Sequence, residues 1–494
     1  MPSDGVIDVI EACREASRSD RVKKMKLKVL HHDPAAHERK AGKITRYYRN
    51  PDPQLHPFER AREYNRALVA TKLDKMFAKP LVAVLDGHTD AVKCMARSHK
   101  RVADLFTASC DGELRFWNMP TRTCTKAISA HDGFIRGLCV SPDDRLLFTG
   151  GDDKCIKTWK VEKNEGMTAM DWDEVLDEGN LVRGEEIDTS KLAKEVPALN
   201  VYMAKSAVTS LDHHWSRHLL VSTGDTVDIW DHHRSAPIQS FEWGCDSVIC
   251  ARFNPAEPCL IASTASDNTV GLYDLRGSSP IRKVLLKMRS NAVSWNPMEP
   301  LNFTVANEDC HLYTFDMRKL DIALNLHRDF TNAVLDVDYS PSGREFVAAS
   351  YDRTIRIFRV SESRSREVYH AKRMQRVLCC RFTADTRYVV SGSEDTNVRV
   401  WKAEASKPLG PRPFRERQAM AYRDALKRKF QHLKEIRRIA RHRHVPSLIK
   451  KHTEKRRIMA QAKKRKEENL RRHSRPGAVP FESVRRKPIK KQIE

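Results

Sequence analysis

Residues 437–446, RRIARHRHVP, combine four arginines with two histidines. Such a segment could bind a metal ion, signal nuclear import, lie on a membrane surface or contact nucleic acid. A metal site is disfavoured, because His442 and His444 stand two residues apart, on different sides of a helix, and no cysteine lies in residues 403–494. Arginine donates two hydrogen bonds to one phosphate and stacks on bases. We therefore predict a surface that binds RNA or a partner protein, formed by Arg437, Arg438, Arg441, His442, Arg443 and His444.

A second basic segment, SLIKKHTEKRRIMAQAKKRKEENLRR, follows at residues 447–472. It favours a helix but has few apolar residues, so we expect it to be disordered or to be ordered by a polyanion. Its KKRKEENLRR portion also fits a nuclear-import signal. Protein cations that neutralise phosphates release condensed counterions, which favours RNA binding. The residues predicted to contact RNA or a partner here are Arg456, Arg457, Lys463, Lys464 and Arg465.

The positive charge is concentrated in residues 403–494. The whole sequence has 89 Lys and Arg against 65 Asp and Glu, a net charge of +24. Residues 403–494 hold 30 basic and 9 acidic side chains, whereas residues 81–402 hold 41 and 45. This segregation indicates that the tail binds a polyanion, although a solvated charge run remains the alternative.

An amphipathic helix would present the first basic segment. Its apolar residues follow one another at steps of 4, 4, 3 and 3, which is typical of one continuous helical face, and Pro446 ends it. The face is narrow and bordered by lysines and arginines, so we expect it to dock on protein rather than lipid. The apolar positions are Tyr422, Leu426, Phe430, Leu433 and Ile436.

The middle of the chain contains a repeat. Seven aromatic residues recur at spacings of 42, 71, 43, 42, 43 and 43, and six of them follow an aspartate by six residues. A period of 40–45 residues with several short strands predicts a WD-repeat β-propeller. We assign the excess in the spacing of 71 to an acidic loop at about 161–200, between blades 2 and 3. The aromatic residues are Trp117, Trp159, Trp230, Tyr273, Phe315, Phe358 and Trp401, and the aspartates are Asp111, Asp153, Asp267, Asp309, Asp352 and Asp395.

Three details of the repeat carry structural predictions. His88 and His131 open the first two units, where WD repeats build a hydrogen-bond network from the histidine, a strand hydroxyl, the tryptophan and the aspartate. The third unit has Gly224 followed by Asp225, which predicts a shortened turn. The last unit has three strands, and residues 80–88 before the first unit are predicted to supply its fourth, which removes a free sheet edge.

Enzyme, metal and membrane functions find no support in the sequence. Twelve cysteines are scattered without a C-x-x-C pair, as expected for buried residues in a reducing compartment, and no signal peptide is expected. There is no Gly-rich phosphate loop, H-E-x-x-H motif or nucleophile elbow, and no apolar run of about 18 residues. We therefore expect no catalytic residue, cofactor, metal or membrane span.

Several stretches resemble the WD-repeat and Sof-domain-containing proteins, including NPDPQLHPFERAREYNRAL, ANEDCHLYTFDMR and FQHLKEIRRIARHRHVP. The resemblance implies a nuclear and nucleolar protein of the small-subunit processome. Its partners would be pre-rRNA, the box C/D small nucleolar ribonucleoprotein and other processome proteins, with one copy of the chain in the assembly. The resemblance also suggests a second role, as substrate receptor of cullin-4 RING ubiquitin ligases.

The ligase role has a D-x-R marker after the repeat aromatic. Two units carry it, as Asp274 with Arg276 and Asp316 with Arg318. A surface ion pair within each motif is the alternative explanation. Either way, the motif lies at the end of a predicted strand, where its side chains would be accessible.

These observations together predict an all-β fold, a seven-bladed WD-repeat propeller with an N-terminal extension and a basic α-helical tail. The expected regions are an extension outside the family match (1–24), an N-terminal segment with a helix near 59–75 (25–80), the propeller (81–402) and the Sof-like tail (403–494). The expected function is a non-enzymatic scaffold in pre-rRNA processing. A ligase receptor is the main alternative, and chromatin binding by the tail is a weaker one.

Overall fold

The computed structural model describes residues 58–161, 197–242 and 247–493. Within these ranges the chain forms a ring of seven β-sheets with helices before and after it. The predicted seven-bladed fold with a helical tail is therefore confirmed. The predicted extension (1–24), residues 25–57 of the predicted N-terminal segment and residues 162–196 of the predicted acidic loop lie outside the described residues.

Each blade is an antiparallel sheet built from short runs of β-branched and aromatic residues between polar turns. The first strands of neighbouring blades contact one another around the ring, so they line its centre. Blade 1 is β2 (Val92–Arg97), β3 (Asp104–Ser109), β4 (Glu113–Asn118) and β5 (Thr123–Ser129). Blade 2 is β6 (Ile135–Val140), β7 (Leu146–Gly151), β8 (Cys155–Lys160) and β9 (Asn200–Met203). Blade 3 is β10 (Ser210–His213), β11 (Leu219–Thr223), β12 (Val227–Asp231) and β13 (Gln239–Phe241).

The remaining blades follow the same pattern, and buried side chains fill the spaces between adjacent sheets. Blade 4 is β14 (Val248–Phe253), β15 (Leu260–Ala265), β16 (Thr269–Asp274) and β17 (Pro280–Leu286). Blade 5 is β18 (Ser290–Trp295), β19 (Asn302–Asn307), β20 (His311–Asp316) and β21 (Asn325–Arg328). Blade 6 is β22 (Val334–Tyr339), β23 (Glu345–Ser350), β24 (Ile355–Arg359) and β25 (Ser365–Tyr369). Blade 7 is β26 (Val377–Phe382), β27 (Tyr388–Ser393), β28 (Val398–Lys402) and the early strand β1 (Leu81–Leu85).

Blade 7 closes the ring with strands from both ends of the propeller. β1 pairs antiparallel with β28, and Leu85 faces Val398. The predicted closure by residues 80–88 is confirmed. The seam is apolar, since Leu85 packs in one core with Val398, Trp117 and Val390, and this core joins blade 7 to blade 1.

The turn in blade 3 is shorter than the turn in blade 1. The indole of Trp230 donates to Ser222, eight residues earlier, whereas Trp117 donates to Thr107, ten residues earlier. Gly224 N–H donates to Thr226 O at 3.0 Å and closes the tight turn. The shortened turn predicted from the displaced aspartate is confirmed.

Helix α1 (Glu59–Met76) precedes the propeller and agrees with the predicted helix near 59–75. It is polar overall, and its buried residues are the small side chains Ala67, Ala70 and Thr71. Small residues let another helix approach closely. Two helices that follow the propeller pack on this face of α1.

The tail begins with two helices where the sequence predicted one. α2 (Phe414–Phe430) ends before Leu433, and α3 (Lys434–Ala440) begins after it. Leu426 and Ile436 share one small core with Ala67. In an unbroken helix these two side chains would be about 15 Å apart along the axis, too far to meet at one alanine. The prediction of one continuous helix was wrong because packing against α1 requires the break.

The second basic segment is a long helix, α4 (Ser447–His473), and Ile449 near its start is buried. The helix that this segment favours is present, and its dependence on a polyanion stays a prediction. Contacts with the propeller hold this helix, and they were not predicted from the sequence. Of the helices that the structure describes, none is long and apolar enough to cross a membrane.

The chain's final basic run forms a strand, β29 (Ile489–Ile493). It pairs antiparallel with β17 and gives blade 4 a fifth strand. Ile489 packs against the core shared by blades 4 and 5. The tail is therefore attached to the propeller at both of its ends.

Candidate functional site

Repeat residues in blade 2 form a continuous series of hydrogen bonds. Trp159 Nε1 donates to Thr149 Oγ1 at 2.9 Å, and this hydroxyl lies 2.8 Å from His131 Nε2. His131 Nδ1 lies 2.8 Å from Asp153 Oδ2. Burial lowers the pKa of His131, so the ring is neutral and its Nδ1–H donates to the carboxylate. The series joins two strands to two turns and stiffens the blade.

Blade 1 keeps the same residue types with a different arrangement. His88 Nε2 lies 2.6 Å from Thr107 Oγ1, but Asp111 accepts from Thr89 and Ser109 rather than from His88. The other repeat tryptophans donate to strand hydroxyls at 2.7–2.9 Å: Trp117 to Thr107, Trp230 to Ser222 and Trp401 to Ser391.

The turn aspartates of blades 4 to 7 accept hydrogen bonds from hydroxyl groups and nearby cations. They fix the hairpins and neutralise charges within each blade, so these residues support the scaffold. The pairs are Asp267 with Thr269 and Lys283, Asp309 with Tyr313, Asp352 with Thr354 and Arg356, and Asp395 with Ser393 and Arg399.

The two D-x-R motifs have the same local geometry. Arg276 donates from Nη2 to Asp274 Oδ2 at 3.2 Å, and Arg318 donates from Nη2 to Asp316 Oδ2 at 2.9 Å. The guanidinium of Arg318 lowers the pKa of Asp316. The arginine side chains are 76% and 67% exposed, so each motif is an internal ion pair that presents its arginine to solvent.

Helices α2 and α3 dock on α1 through charge as well as through the small core. Lys429 Nζ lies 2.7 Å from Glu63 Oε2, and Lys427 forms an ion pair with Asp74. The Tyr64 hydroxyl donates to Glu435 Oε2 at 2.6 Å. Part of the tail's positive charge is therefore neutralised within the chain.

Three of the predicted RNA-contacting residues contact the propeller. Arg443 donates to Ser365 O at 3.0 Å and forms an ion pair with Asp329. His444 Nδ1 lies 3.0 Å from His370 Nε2. Arg456 donates from Nη1 to Phe330 O at 3.1 Å and from Nη2 to Asp309 O at 3.2 Å. These side chains hold the start of α4 against blades 5 and 6.

The other predicted tail residues are exposed. Those on α4 belong to a helix of 27 residues, about 40 Å long, in which basic side chains outnumber acidic ones by eleven to three. The structure thus separates anchoring cations from cations that face solvent. The exposed residues are Arg437, Arg438, Arg441, His442, Arg457, Lys463, Lys464 and Arg465.

Blade 3 brings together histidines that the sequence showed only as neighbouring pairs. His213 Nε2 lies 2.8 Å from His232 Nε2, and the ring of His218 is 5.3 Å from that of His232. Burial lowers the pKa of His213 to about 3 and that of His232 to about 4, so both rings are neutral. Across the described ranges, no group of His, Cys, Asp and Glu is arranged to hold a metal ion.

Two family models match this chain. The Sof1-like domain matches residues 403–489, which covers the tail helices and the start of β29. The WD domain, G-beta repeat, matches residues 79–118, 122–160, 322–359 and 366–402. The repeat model thus covers four units, whereas the structure has seven blades.

Curated relatives are similar over nearly the whole chain. DDB1- and CUL4-associated factor 13 from Danio rerio is 47% identical over 471 residues, covering 95% of this chain and 100% of that protein. The Homo sapiens protein of the same name is 46% identical over 466 residues, or 94% and 99% of the two chains. Protein SOF1 from Saccharomyces cerevisiae is 40% identical over 455 residues, or 89% of each chain.

Proposed function

The chain belongs to the family of WD-repeat proteins with a Sof1-like domain, and on this basis we propose that it is a scaffold of the small-subunit processome. It would act in the nucleus and nucleolus without catalysing a reaction. Its partners would be small-subunit pre-rRNA, the box C/D small nucleolar ribonucleoprotein and other processome proteins. Its similarity to protein SOF1 and the segregation of exposed cations on the tail support this assignment.

The RNA-binding part of the proposal rests on one observation: some residues anchor α4, while other cations on the same helix are exposed. Arg456 fixes the helix to the propeller and Ile449 is buried, while Arg457, Lys463 and Lys464 are exposed to solvent. A helix held at a fixed position presents its charges without a further ordering cost when RNA binds. Phosphate contacts of this kind are salt-dependent and independent of base sequence.

The proposal is tested by neutralising three exposed cations in the full-length protein, K463Q/K464Q/R465Q. We expect the slope of log affinity against log salt for a pre-rRNA fragment to become less negative by about 3 on a duplex segment and about 2 on a single strand. The control is K93Q/R122Q/K160Q, which removes the same charge from exposed propeller positions. Equal slopes for the two variants would show that α4 is not an RNA surface.

A second function is supported by the exposed D-x-R arginines. We infer that Arg276 and Arg318 dock a cullin-4 ligase adaptor, since close relatives carry the name DDB1- and CUL4-associated factor. The aspartate of each motif holds its arginine in one orientation, which lowers the entropic cost of binding a carboxylate on the adaptor.

Charge reversal tests this second function. R276E/R318E should release the adaptor DDB1 in co-purification, while pre-rRNA processing continues. R289E is the matched control, because Arg289 is also an exposed arginine in an ion pair, with Glu308 at 2.7 Å. Adaptor recovery that is the same for R276E/R318E and the unmodified protein would rule out docking through these motifs.

A further inference from the structure

A groove with a volume of about 1960 Å³ lies on one face of the ring, across blades 5, 6 and 7. The turns that join the first and second strands of these blades line it. The linker between β28 and α2 and Arg485 near the chain's end also line it. Parts of the chain that are far apart in sequence therefore form one continuous surface.

The groove is strongly basic. Eight arginines and lysines line it against four acidic residues. The acidic residues have partners already: for example, Glu345 pairs with Arg366 at 2.8 Å, and Glu404 with Lys407 at 2.8 Å. Six lining cations form no ion pair within the described part of the chain, namely Arg344, Arg387, Lys402, Arg412, Arg417 and Arg485.

Lys402 shows how poorly this charge is compensated. It lies at the end of β28, and its Nζ donates to a main-chain carbonyl, that of Lys407, at 3.2 Å. Burial, together with the nearby cations Lys79 and Arg412, lowers the pKa of Lys402. Arg412 likewise donates to a carbonyl, Pro408 O, at 2.7 Å. Cations that face one another without carboxylates form a surface complementary to an anionic ligand.

The apolar lining distinguishes among anionic ligands. Met298 is 68% exposed and Leu324 is 42% exposed, so the groove offers contacts for an aliphatic side chain. Its aromatic lining residues, Phe382 and Tyr388, are buried and leave no ring for stacking bases. Sequence-independent binding of single-stranded RNA usually combines basic grooves with exposed aromatic rings.

The groove and α4 lie at opposite ends of the strands. Arg456 on α4 contacts Asp309, which lies in the turn between the second and third strands of blade 5. Met298 in the groove lies between the first and second strands of the same blade. Successive turns of an antiparallel sheet alternate between its two ends. A ligand can therefore bind in the groove without contacting the RNA surface proposed for the tail.

We propose that this groove binds an acidic, extended peptide segment of a partner protein. Carboxylates of the peptide pair with the unpaired cations, and an apolar side chain packs against Met298 and Leu324. Arginine suits this role because its planar guanidinium matches carboxylate geometry. The inference goes beyond the proposed RNA binding, since it assigns a protein-binding surface to the other face of the ring.

The test measures binding of two fluorescent probes to the full-length protein. One is a synthetic peptide of Asp and Glu with a central Leu, and the other is an oligouridine RNA of equal charge. In R344E/R387E/R412E we expect peptide affinity to fall by about tenfold or more, with RNA affinity within about twofold. In K463E/K464E/R465E on α4 we expect RNA affinity to fall, with peptide affinity nearly unchanged. Replacing the peptide's Leu by Gln should also weaken binding.

Two results would overturn the proposal. Unchanged peptide affinity in the groove variant would show that no such site exists, and an equal or larger loss of RNA affinity would identify a nucleic-acid surface instead. Arg344, Arg387 and Arg412 form no ion pair in the described chain, so folding should be retained, as melting curves can check. R344Q/R387Q/R412Q gives a milder second variant. The K463E/K464E/R465E arm reports on RNA binding separately, so failure of one proposal is distinguishable from failure of the other.

Discussion

Replacing Arg443 by Ala should loosen the tail from the propeller without unfolding the propeller. The guanidinium donates to Asp329 and to both the carbonyl and the hydroxyl of Ser365. The side chains of Arg443 and Asp329 are only 20% and 12% exposed, so solvent screens this ion pair weakly. Asp329 still accepts from Ser365 N–H at 2.8 Å and lies 3.9 Å from Arg356, so it does not become an unpaired buried charge.

The free energy of tail docking that is lost in R443A should lie near the middle of the range for hydrogen bonds to charged groups. Such bonds contribute about 1.5–3 kcal/mol, and the remaining partners of Asp329 limit the loss to about 2 kcal/mol. That free energy corresponds to a roughly 30-fold shift toward the undocked tail. Because the blades keep their own cores, the melting temperature of the propeller should change little.

Hydrogen exchange measured by mass spectrometry checks this prediction. α3 and the first turns of α4 should exchange faster in R443A, while the strands of blades 5 and 6 keep their protection. R437A is the control, since Arg437 is exposed on α3. If R443A exchanges like the unmodified protein but loses as much RNA affinity as R437A, Arg443 contacts RNA and the docking interpretation is wrong.

Three further predictions concern packing and titration. Leu426→Ala should cost about 2–4 kcal/mol and speed exchange in α1, α2 and α3; unchanged protection would contradict their shared core. His327 is buried with its pKa lowered to about 4, so it stays neutral while the unfolded chain takes up a proton. The contribution of His327 to the free energy of unfolding is complete above pH 6.5 and falls by roughly 1.4 kcal/mol per pH unit toward pH 4. In H327Q this pH dependence should be flatter, as urea titrations at several pH values can measure. Ile489→Asp should release β29, so that the Lys287 amide, which donates to Pro488 O at 2.9 Å, exchanges faster; unaltered exchange would argue against this pairing.

Sequence reasoning predicted the ring because its signal is periodic. Seven aromatic positions at a nearly constant spacing specify seven similar sheets, and the missing strand after Trp401 indicated closure by residues 80–88. The shortened turn at Gly224 was also visible, because one displaced aspartate changes the length of a hairpin. Local spacing determines each of these features.

The tail was harder to predict because contacts distant in sequence determine its structure. The break between α2 and α3 depends on Ala67, which lies in the N-terminal helix. Arg456 is held by main-chain carbonyls of Phe330 and Asp309, and no side-chain pattern reveals such acceptors. The strand β29 lies in a run that composition alone marks as basic, and it forms because β17 has an open edge.

The closure of blade 7 has a consequence for how the protein is made. β1 leaves the ribosome before every blade, and its partner β28 is synthesised last of the propeller strands. About 300 residues separate the two strands, so at about 5–20 residues per second β1 waits roughly 15–60 s for its partner. During that time the apolar strand lacks its partner and can pair with other strands. The pairing of β1 with β28, which protects the finished ring, is thus the strand pairing of the ring that takes longest to form during translation.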